Sequence, residues 1–360
     1  MGPTPSPCAD ATQAAPGFAD EPVAPESPVR PRVPSINPVT WSVSVVVPTF
    51  ERPELLSRCL VALGAQDFDP AAYEVIVADN AASPRTRRQV EDWAGRSRVA
   101  VRYVAAGHAR GPAVARNAGW RAARGGIVAF TDDDCVPDPG WLTAGVAALA
   151  DGAAGARGRI VVPLPERPTD YQRNAAALET AEFATANCFY RRATLAAVRG
   201  FDERFTVAWR EDSDLFFSLL ERGSRLVEAS GAVVVHPVRP APWGVSLAQQ
   251  RQCLFNALLY KKHPALYRRA IRPGTPWHYY AIVAALLTAL GAATSGHPAP
   301  AFGAGFAWLL LTGRFCARRL RRTARTPRHV AEMVVTSVLI PPLAIYWRIA
   351  GALKFRVFFC

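Results

Sequence analysis

The sequence predicts an α/β domain built on a parallel sheet, followed by a helical region that meets a membrane. Three observations carry this expectation. Short β-branched runs alternate with helical patterns over residues 42–134, the mark of βαβ units. Polar and acidic residues close those runs at the carboxyl ends of the strands, where ligands bind in such sheets. Charge is segregated: residues 261–360 hold fifteen Lys or Arg against one acid, Glu332.

The elements follow in order. SVSVVVPTF (42–50) is a buried-type strand closed by Pro48 and Thr49. RPELLSRCLVALGAQ (52–66) places Leu55, Leu56, Cys59, Leu60 and Leu63 on one helical face, with Pro53 in its first turn. YEVIVADNAAS (73–83) is a second strand, TRRQVEDWAG a helix and VAVRYVAA (99–106) a third strand. GPAVARNAGWRAARG (111–125) is a helix and IVAFTDDD a fourth strand. Beyond Trp141 the pattern loosens into a helix, a strand over GARGRIVVPL, and a strand, short helix and turn over residues 187–205. REDSDLFFSLLERG (210–223) is a helix with acids in its first turn, where the helix dipole favours them, and Gly223 as its stop. AVVVHPVRP (232–240) is a final strand ending at His236-Pro237.

These elements divide the chain into a Pro-rich tail expected to be disordered (residues 1–40), an α/β domain (41–260) and basic membrane-associated helices (261–360). The net charge of +13 lies wholly in the last part. Basic residues that flank apolar runs suit an anionic membrane surface rather than nucleic acid, so no nucleic-acid partner is expected. Residues 279–294 and 301–311 are apolar and joined by SGHPAP, which has no Lys or Arg. A hairpin over about 277–313 with both ends in the cytoplasm satisfies the positive-inside rule. The third run, 334–347, contains Pro341-Pro342 and is expected to break there, giving an interfacial or re-entrant segment over about 330–350. Seven scattered cysteines with no CxxC pair argue against a disulfide framework or a zinc site, and fit a reducing compartment. No signal-peptide pattern opens the chain. The α/β domain is therefore placed on the cytoplasmic face of a cell membrane.

Asp132, Asp133 and Asp134 stand together after an apolar run. A turn leading into Pro137 would need one Asp, not three. Adjacent carboxylates repel one another and become tolerable when a divalent cation neutralises them. If strand alternation continues, Asp132 and Asp134 face one site and Asp133 points aside. Oxygen ligands favour Mg²⁺ or Mn²⁺. A metal held by few side chains takes its remaining ligands from phosphates and water, which points to a nucleotide-diphosphate substrate.

Six blocks, VSVVVPTFERPELLSRCL, VIVADNAAS, GPAVARNAGW, IVAFTDDDCVPDPGWL, RGFDERF and REDSDL, occur over residues 42–240 in an order and spacing that resembles family 2 glycosyltransferases. The resemblance implies a GT-A, Rossmann-like nucleotide-diphospho-sugar transferase domain, a nucleotide-sugar donor, Mg²⁺ or Mn²⁺, and inversion at the anomeric carbon. It places Thr49, Glu51, Asp79, Arg116, Asn117 and Asp132 at the nucleotide sugar. It also implies Asp134, with Asp132 and His236, at the metal, and Asp212 as the base that takes the acceptor proton. The alternative reading is helix capping by Asp212 or first-turn stabilisation by Glu211 and Asp214. Asn187, Arg191, Glu211 and Arg251 fall on the acceptor side, with the basic character of Arg191 and Arg192 suited either to a phosphate or to solvent.

Processive polysaccharide synthases carry QxxRW after the base, whereas this chain has QQRQC (249–253). Transfer of a single sugar is therefore favoured, to a glycan or a polyprenyl-linked acceptor. A nucleotidyltransferase would show a Gly-rich phosphate loop after the first strand, and PTFERPE has none. An inactive membrane scaffold would not need to keep both the aspartates and Asp212.

Overall fold

The computed structural model describes residues 42–107, 109, 111–272 and 274–359. The tail expected over residues 1–40 lies outside them. An eight-stranded mixed sheet forms the centre, in the order β3-β2-β1-β4-β7-β6-β8-β5. Its strands are β1 (Val43–Thr49), β2 (Tyr73–Asp79), β3 (Ala100–Ala105), β4 (Ile127–Phe130), β5 (Val136–Pro137), β6 (Gly155–Val161), β7 (Cys188–Arg191) and β8 (Leu226–Val235). The first four in spatial order are parallel. β7 joins β4 antiparallel and β6 joins β7 antiparallel, while β8 runs parallel to β6 and carries β5 on its far edge.

Alternation explains why the parallel half is buried on both faces. Val43, Val45 and Val47 of β1 enter one core, with Leu56, Leu60 and Leu63 of helix α1 (Pro53–Gly64). Val46 enters the opposite core, with Val128 and Phe130 of β4. Helices α2 (Pro84–Ala94) and α3 (Pro112–Ala122) complete the parallel units. α3 lies unusually close to β1: a Cβ on Gly119 would sit 2.3 Å from Val46 Cγ1. That approach carries Arg116, one turn earlier, to the carboxyl end of the sheet.

The second half adds α4 (Trp141–Ala147), α5 (Asp170–Ala175), α6 (Arg192–Val198) and α7 (Glu211–Glu221). α5 opens with a capping box, Thr169 and Gln172 satisfying each other's backbone. Helices α8 (Val245–Gln249), α9 (Leu254–Lys262) and the short α10 (Pro264–Leu266) lead out of the domain. Cys59, Cys135, Cys188 and Cys316 are free thiols, whereas Cys253 is disulfide-bonded.

The C-terminal region is three helices, α11 (Trp277–Thr294), α12 (Pro298–Leu320) and α13 (Pro327–Phe355). α11 and α13 are long and apolar enough to cross a membrane. α13 is continuous through Pro341 and Pro342, so the break expected there is absent. Proline removes hydrogen-bond donors without removing the packing of Ile340 and Ala344 against Tyr279, Ile282 and Phe315, and that buried cluster holds the helix together.

Both ends of α13 are tied to the α/β domain. Near its start, the Ala324 amide donates to Pro168 O at 2.8 Å and Glu332 accepts from the Gly244 amide at 2.7 Å. Near its end, Lys261 Nζ donates to Phe355 O at 2.7 Å, and Gly351 rests against Leu254 O, where a Cβ would lie 2.5 Å away. α12 is anchored by Arg319, whose guanidinium donates to the buried Asp170 carboxylate at 2.8 Å. Beyond this base, no residue from Val283 to Leu311 is buried.

Candidate active site

The site forms where the carboxyl ends of β1 and β4 face the start of α7. β4 ends at Phe130, and the acids lie in a turn closed by Cys135 N donating to Asp132 O at 3.1 Å. Strand alternation therefore does not reach them. The turn instead sends each carboxylate to a different cation. Asp132 Oδ1 accepts from Arg116 Nη2 at 2.9 Å. Asp133 accepts from Thr49 Oγ1 at 2.8 Å and from Arg52 at 3.1 Å, and is buried. Asp134 meets Arg239 Nε at 3.0 Å and His236 Nε2 at 3.4 Å. Asp133 does point aside, but because Thr49 and Arg52 hold it.

α7 begins at Arg210, whose φ of 74° is a left-handed cap. The strained turn presents Glu211 and Asp212 to the sheet ends. Arg116 joins the two walls, donating to Glu211 Oε1 at 2.8 Å as well as to Asp132. Asp214, two residues after Asp212, turns the other way and binds Lys262 at 2.7 Å and His263 at 3.2 Å, fastening α7 to α9.

The walls differ in electrostatics. Burial raises the pKa of Asp132, but the attraction of Arg116 and His236 outweighs it and holds the group below the usual carboxylate range. Burial raises Asp133, which Arg52 and Thr49 only partly offset. On α7 burial wins: Glu211 is pushed up to about 7, with Asp212 adding repulsion and Arg116 opposing. Burial also raises Asp212, against its own hydrogen bond from the Ser213 amide. A carboxylate raised by burial holds and releases protons nearer neutral pH.

A cleft of about 370 Å³ runs between the walls, lined among others by Arg116, Asp132, Glu211, Asp212, His236 and Arg239. That volume is within the range of ligand sites. Five of the residues expected from the sequence thus meet in one cleft, with Asp134 directly behind His236. Asp79 stands at the end of β2 with its carboxylate accepting from the Ala81 and Ser83 amides at 2.9 and 2.7 Å and from the Tyr103 hydroxyl at 3.1 Å. Glu51 is exposed in the loop after β1, with φ of 52°.

Four others are placed elsewhere. Asn117 is buried and holds the 201–203 turn, donating to Phe201 O and Glu203 at 2.9 and 2.8 Å and accepting from Phe201 N at 2.9 Å. Asn187 cross-links strands, donating to Arg159 O and Ala232 O and accepting from Trp141 Nε1 at 2.8 Å. Arg191 satisfies the carbonyls of Ala153 and Leu149. Arg251 is exposed and does not line the cleft, whereas its neighbours Gln249 and Gln252 do.

Sequence reasoning missed Arg239, Arg210, and Tyr171 and Asn174 of α5, all of which line the cleft. The capping box at Thr169 was the available signal for α5, and Arg239 lies three residues after His236.

Asp134, His236 and Cys135 bring one potential ligand atom each within 4.8 Å of one another. A carboxylate oxygen suits Mg²⁺ or Mn²⁺ and an imidazole suits the transition metals, so Asp134 and His236 together fit a divalent cation, Mn²⁺ better than Mg²⁺. The Cys135 thiol does not, because burial, then Asp132 and Asp134, push its pKa well up and keep it protonated.

A parallel half-sheet ending in acids, extended by an antiparallel half and faced by a carboxylate-bearing helix, is the GT-A glycosyltransferase fold. Residues 44–207 match the family model for glycosyl transferase family 2. The chain is 31% identical over 108 residues to the glycosyltransferase AglE of Haloferax volcanii, covering 30% of this chain and 35% of that protein. It is 29% identical over 226 residues to a pre-mycofactocin glycosyltransferase of Mycobacterium tuberculosis, covering 58% of this chain and 45% of that one. The matched part thus spans less than half the length of either relative. In fold the chain resembles a mannosyltransferase of Pyrobaculum calidifontis, solved with GDP-mannose and Mn²⁺, at 22% identity and a TM-score of 0.50, over 89% of this chain and 88% of that one.

Proposed function

We propose that the protein is an inverting glycosyltransferase that moves one sugar from a nucleotide-diphosphate donor to an acceptor at the cytoplasmic face of a membrane. The observation that carries it is the facing of Asp132 and Asp212 across one cleft, with Arg116 joined to both walls. In this reading the donor lies along the sheet ends, its nucleoside by Thr49, Glu51 and Asp79 and its diphosphate towards Asp134, His236 and Arg239.

Asp134 and His236, with Asp132 beside them, would hold Mg²⁺ or Mn²⁺. A divalent cation there supplies charge stabilisation to a departing diphosphate. Arg239 adds a fixed positive charge on the same side. Arg116 keeps Asp132 ionised and the two walls in register. Across the cleft, Asp212 accepts the proton of the acceptor group as it attacks the anomeric carbon. Its raised pKa makes it a stronger base than an exposed carboxylate. A single displacement from the face opposite the leaving group inverts the anomeric centre, and one base suffices.

The C-terminal helices fit attachment to one leaflet. α13 is 29 residues long, about 43 Å at 1.5 Å per residue, yet both its ends are bound to the same domain. A helix held in that way lies along the membrane surface. The free part of the α11–α12 hairpin, residues 283–311, reaches only about 20 Å, short of the ~30 Å hydrocarbon core. No Asp, Glu, Lys or Arg occurs from Tyr279 to Gly313, while Phe302, Leu287 and Leu309 are 81%, 63% and 60% exposed. The exposed apolar hairpin supports insertion into the membrane with both of its ends on the side of the α/β domain.

The test is direct. Membranes containing the full chain are incubated with a panel of nucleotide sugars and Mn²⁺, and nucleoside diphosphate release is measured. Turnover of one donor, lost in Asp212→Asn and Asp134→Ala, supports the reading. Release that is unchanged in both variants refutes it.

A further inference from the structure

The groups that carry the transfer chemistry come from the sheet ends, α3 and α7. Much of the remaining cleft is built from other pieces: α5 with the short 3₁₀ turn after it (Ala176–Thr180), and α8 with the turn after it (Gln250–Cys253). These pieces contribute Tyr171, Asn174, Gln249 and Gln252, together with apolar Ala175 and Leu178. Among the described residues, none that they place on the cleft is charged.

Helical geometry sorts the side chains. After α8, Gln250 turns inward and donates to Ser246 O at 2.7 Å, and Arg251 faces solvent. Gln249 and Gln252, three residues apart, are left on the cleft side. Tyr171 and Asn174 have the same spacing on α5. All four are half-buried, and among the described residues none of their side chains has a hydrogen-bond partner. Three carboxamides and a phenol, partly withdrawn from water, are left to pair with whatever enters the cleft.

This face is held rigidly from behind. Arg319, 4% exposed in the last turn of α12, spends its whole guanidinium fork there. It donates to Asp170 Oδ2 at 2.8 and 3.2 Å, to Thr336 Oγ1 at 2.6 Å, to Ser337 Oγ at 3.2 Å and to Ser246 Oγ at 3.4 Å. Asp170 immediately precedes Tyr171, and Ser246 lies three residues before Gln249. One buried cation therefore fixes both pieces that carry the unpaired groups and ties them to α12 and α13. Groups fixed in advance lose less freedom when a ligand binds.

The chemistry of the face selects its ligand. Phosphate or carboxylate recognition calls for guanidinium or ammonium groups, and this face presents none. A carboxamide donates and accepts at once, as a sugar hydroxyl does. Trp209, half-buried on the same cleft and three residues before Asp212, adds an aromatic surface for the apolar side of a ring. We propose that Tyr171, Asn174, Gln249 and Gln252 form the acceptor subsite and that it takes an uncharged sugar, bound through its hydroxyls. The acceptor role rests on the transferase reading above, whereas binding of the sugar does not. Arg319 is the positioning residue of this subsite, and none of the five takes part in the displacement.

The test uses the full chain in micelles of a polyoxyethylene detergent, which carries no sugar. Methyl glycosides of glucose, galactose, mannose and N-acetylglucosamine are titrated and followed by saturation-transfer NMR. Saturable binding of at least one is expected, weakened roughly three- to tenfold in Asn174→Ala and in Gln249→Ala, as loss of one uncharged hydrogen bond requires. Tyr171→Phe removes only a hydroxyl and carries the test if an alanine variant does not fold. Affinity for GDP or UDP with Mn²⁺, measured by calorimetry, should stay at the wild-type value in all three. Binding of no glycoside, or of glucose 1-phosphate alone, overturns the uncharged-sugar assignment. Glycoside affinity unchanged in the variants overturns the residues. An equal loss of nucleotide affinity overturns the acceptor subsite and moves this face to the donor. If glycoside binding is lost in the variants yet no donor is turned over, the subsite stands and the transferase reading falls. If a donor is turned over and no glycoside binds, the subsite alone falls.

Discussion

The two walls of the cleft use the same side chain, a carboxylate, to opposite ends. On the strand-end wall each aspartate has a fixed cation: Arg116 for Asp132, Arg52 for Asp133, Arg239 and His236 for Asp134. On the α7 wall, burial dominates and both Glu211 and Asp212 are raised. Asp132, kept ionised by Arg116 and His236, is suited to holding metal and diphosphate. Acids raised by burial are suited to taking a proton. The contrast comes from local backbone: a turn after β4 splays three acids towards three partners, whereas the left-handed cap at Arg210 buries two acids side by side.

The largest expected effect is at the base. Asp212→Asn keeps the shape and removes the proton acceptor, so kcat should fall about 10²- to 10⁴-fold with little change in donor KM. A fall in donor affinity instead, measured by steady-state kinetics over a range of donor, would move Asp212 to the donor wall and erase the contrast. On the strand-end wall, His236→Ala should raise the Mn²⁺ concentration needed for half-maximal rate by roughly 10- to 100-fold, with kcat recovered at saturating metal. A metal response unchanged from wild type would remove His236 from the cation site.

The α7 wall also predicts a pH signature in two opposed directions. A base works only when deprotonated, and burial raises Asp212 above the ordinary carboxylate range, so kcat should decline with falling pH at a higher pH than an exposed aspartate would give. Stability runs the other way. Glu211's folded pKa of about 7 lies above its ordinary 4.5, so its contribution is present below pH 4.5 and is lost as pH rises through 7. Melting temperature should therefore drop between pH 5 and pH 8, and Glu211→Gln should flatten that part of the curve. Parallel slopes in mutant and wild type would show that the buried acid is already ionised.

Much of this was legible in the sequence, and the reasons are physical. Continuous apolar runs such as Val43–Val47 can only be strands buried on both faces, so the parallel half and its ligand-bearing ends were readable. Asp132, Asp212 and Arg116 were identified by their blocks and His236 by its place at the end of the last strand, and the four do share a cleft. What stayed hidden depends on long-range partners. The course of α13 through Pro341-Pro342 is decided by packing against α11 and α12. Asn187 and Arg191 looked like acceptor contacts because a polar residue in a block reads as function, yet Asn187 serves carbonyls of neighbouring strands and Arg191 those of Leu149 and Ala153 in the segment after α4.

Asn117 gives the smallest expected change in catalysis and the sharpest separation of scaffold from site. It lies next to Arg116 in the same helix, but the helical turn sends the two side chains apart: Arg116 to the cleft, Asn117 to the 201–203 turn. Its amide oxygen accepts from both Phe201 N and Trp120 Nε1 at 2.9 and 2.8 Å, and its nitrogen donates twice, so all its hydrogen-bonding capacity is spent on the scaffold. Asn117→Ala strands the buried Phe201 and Trp120 donors, which should cost about 2–3 kcal/mol of stability. Because none of those bonds reaches the cleft, donor KM should stay within about twofold of wild type below the melting transition, a change worth under ~0.5 kcal/mol. A large rise in donor KM without loss of stability would instead return Asn117 to the nucleotide face that its block implied.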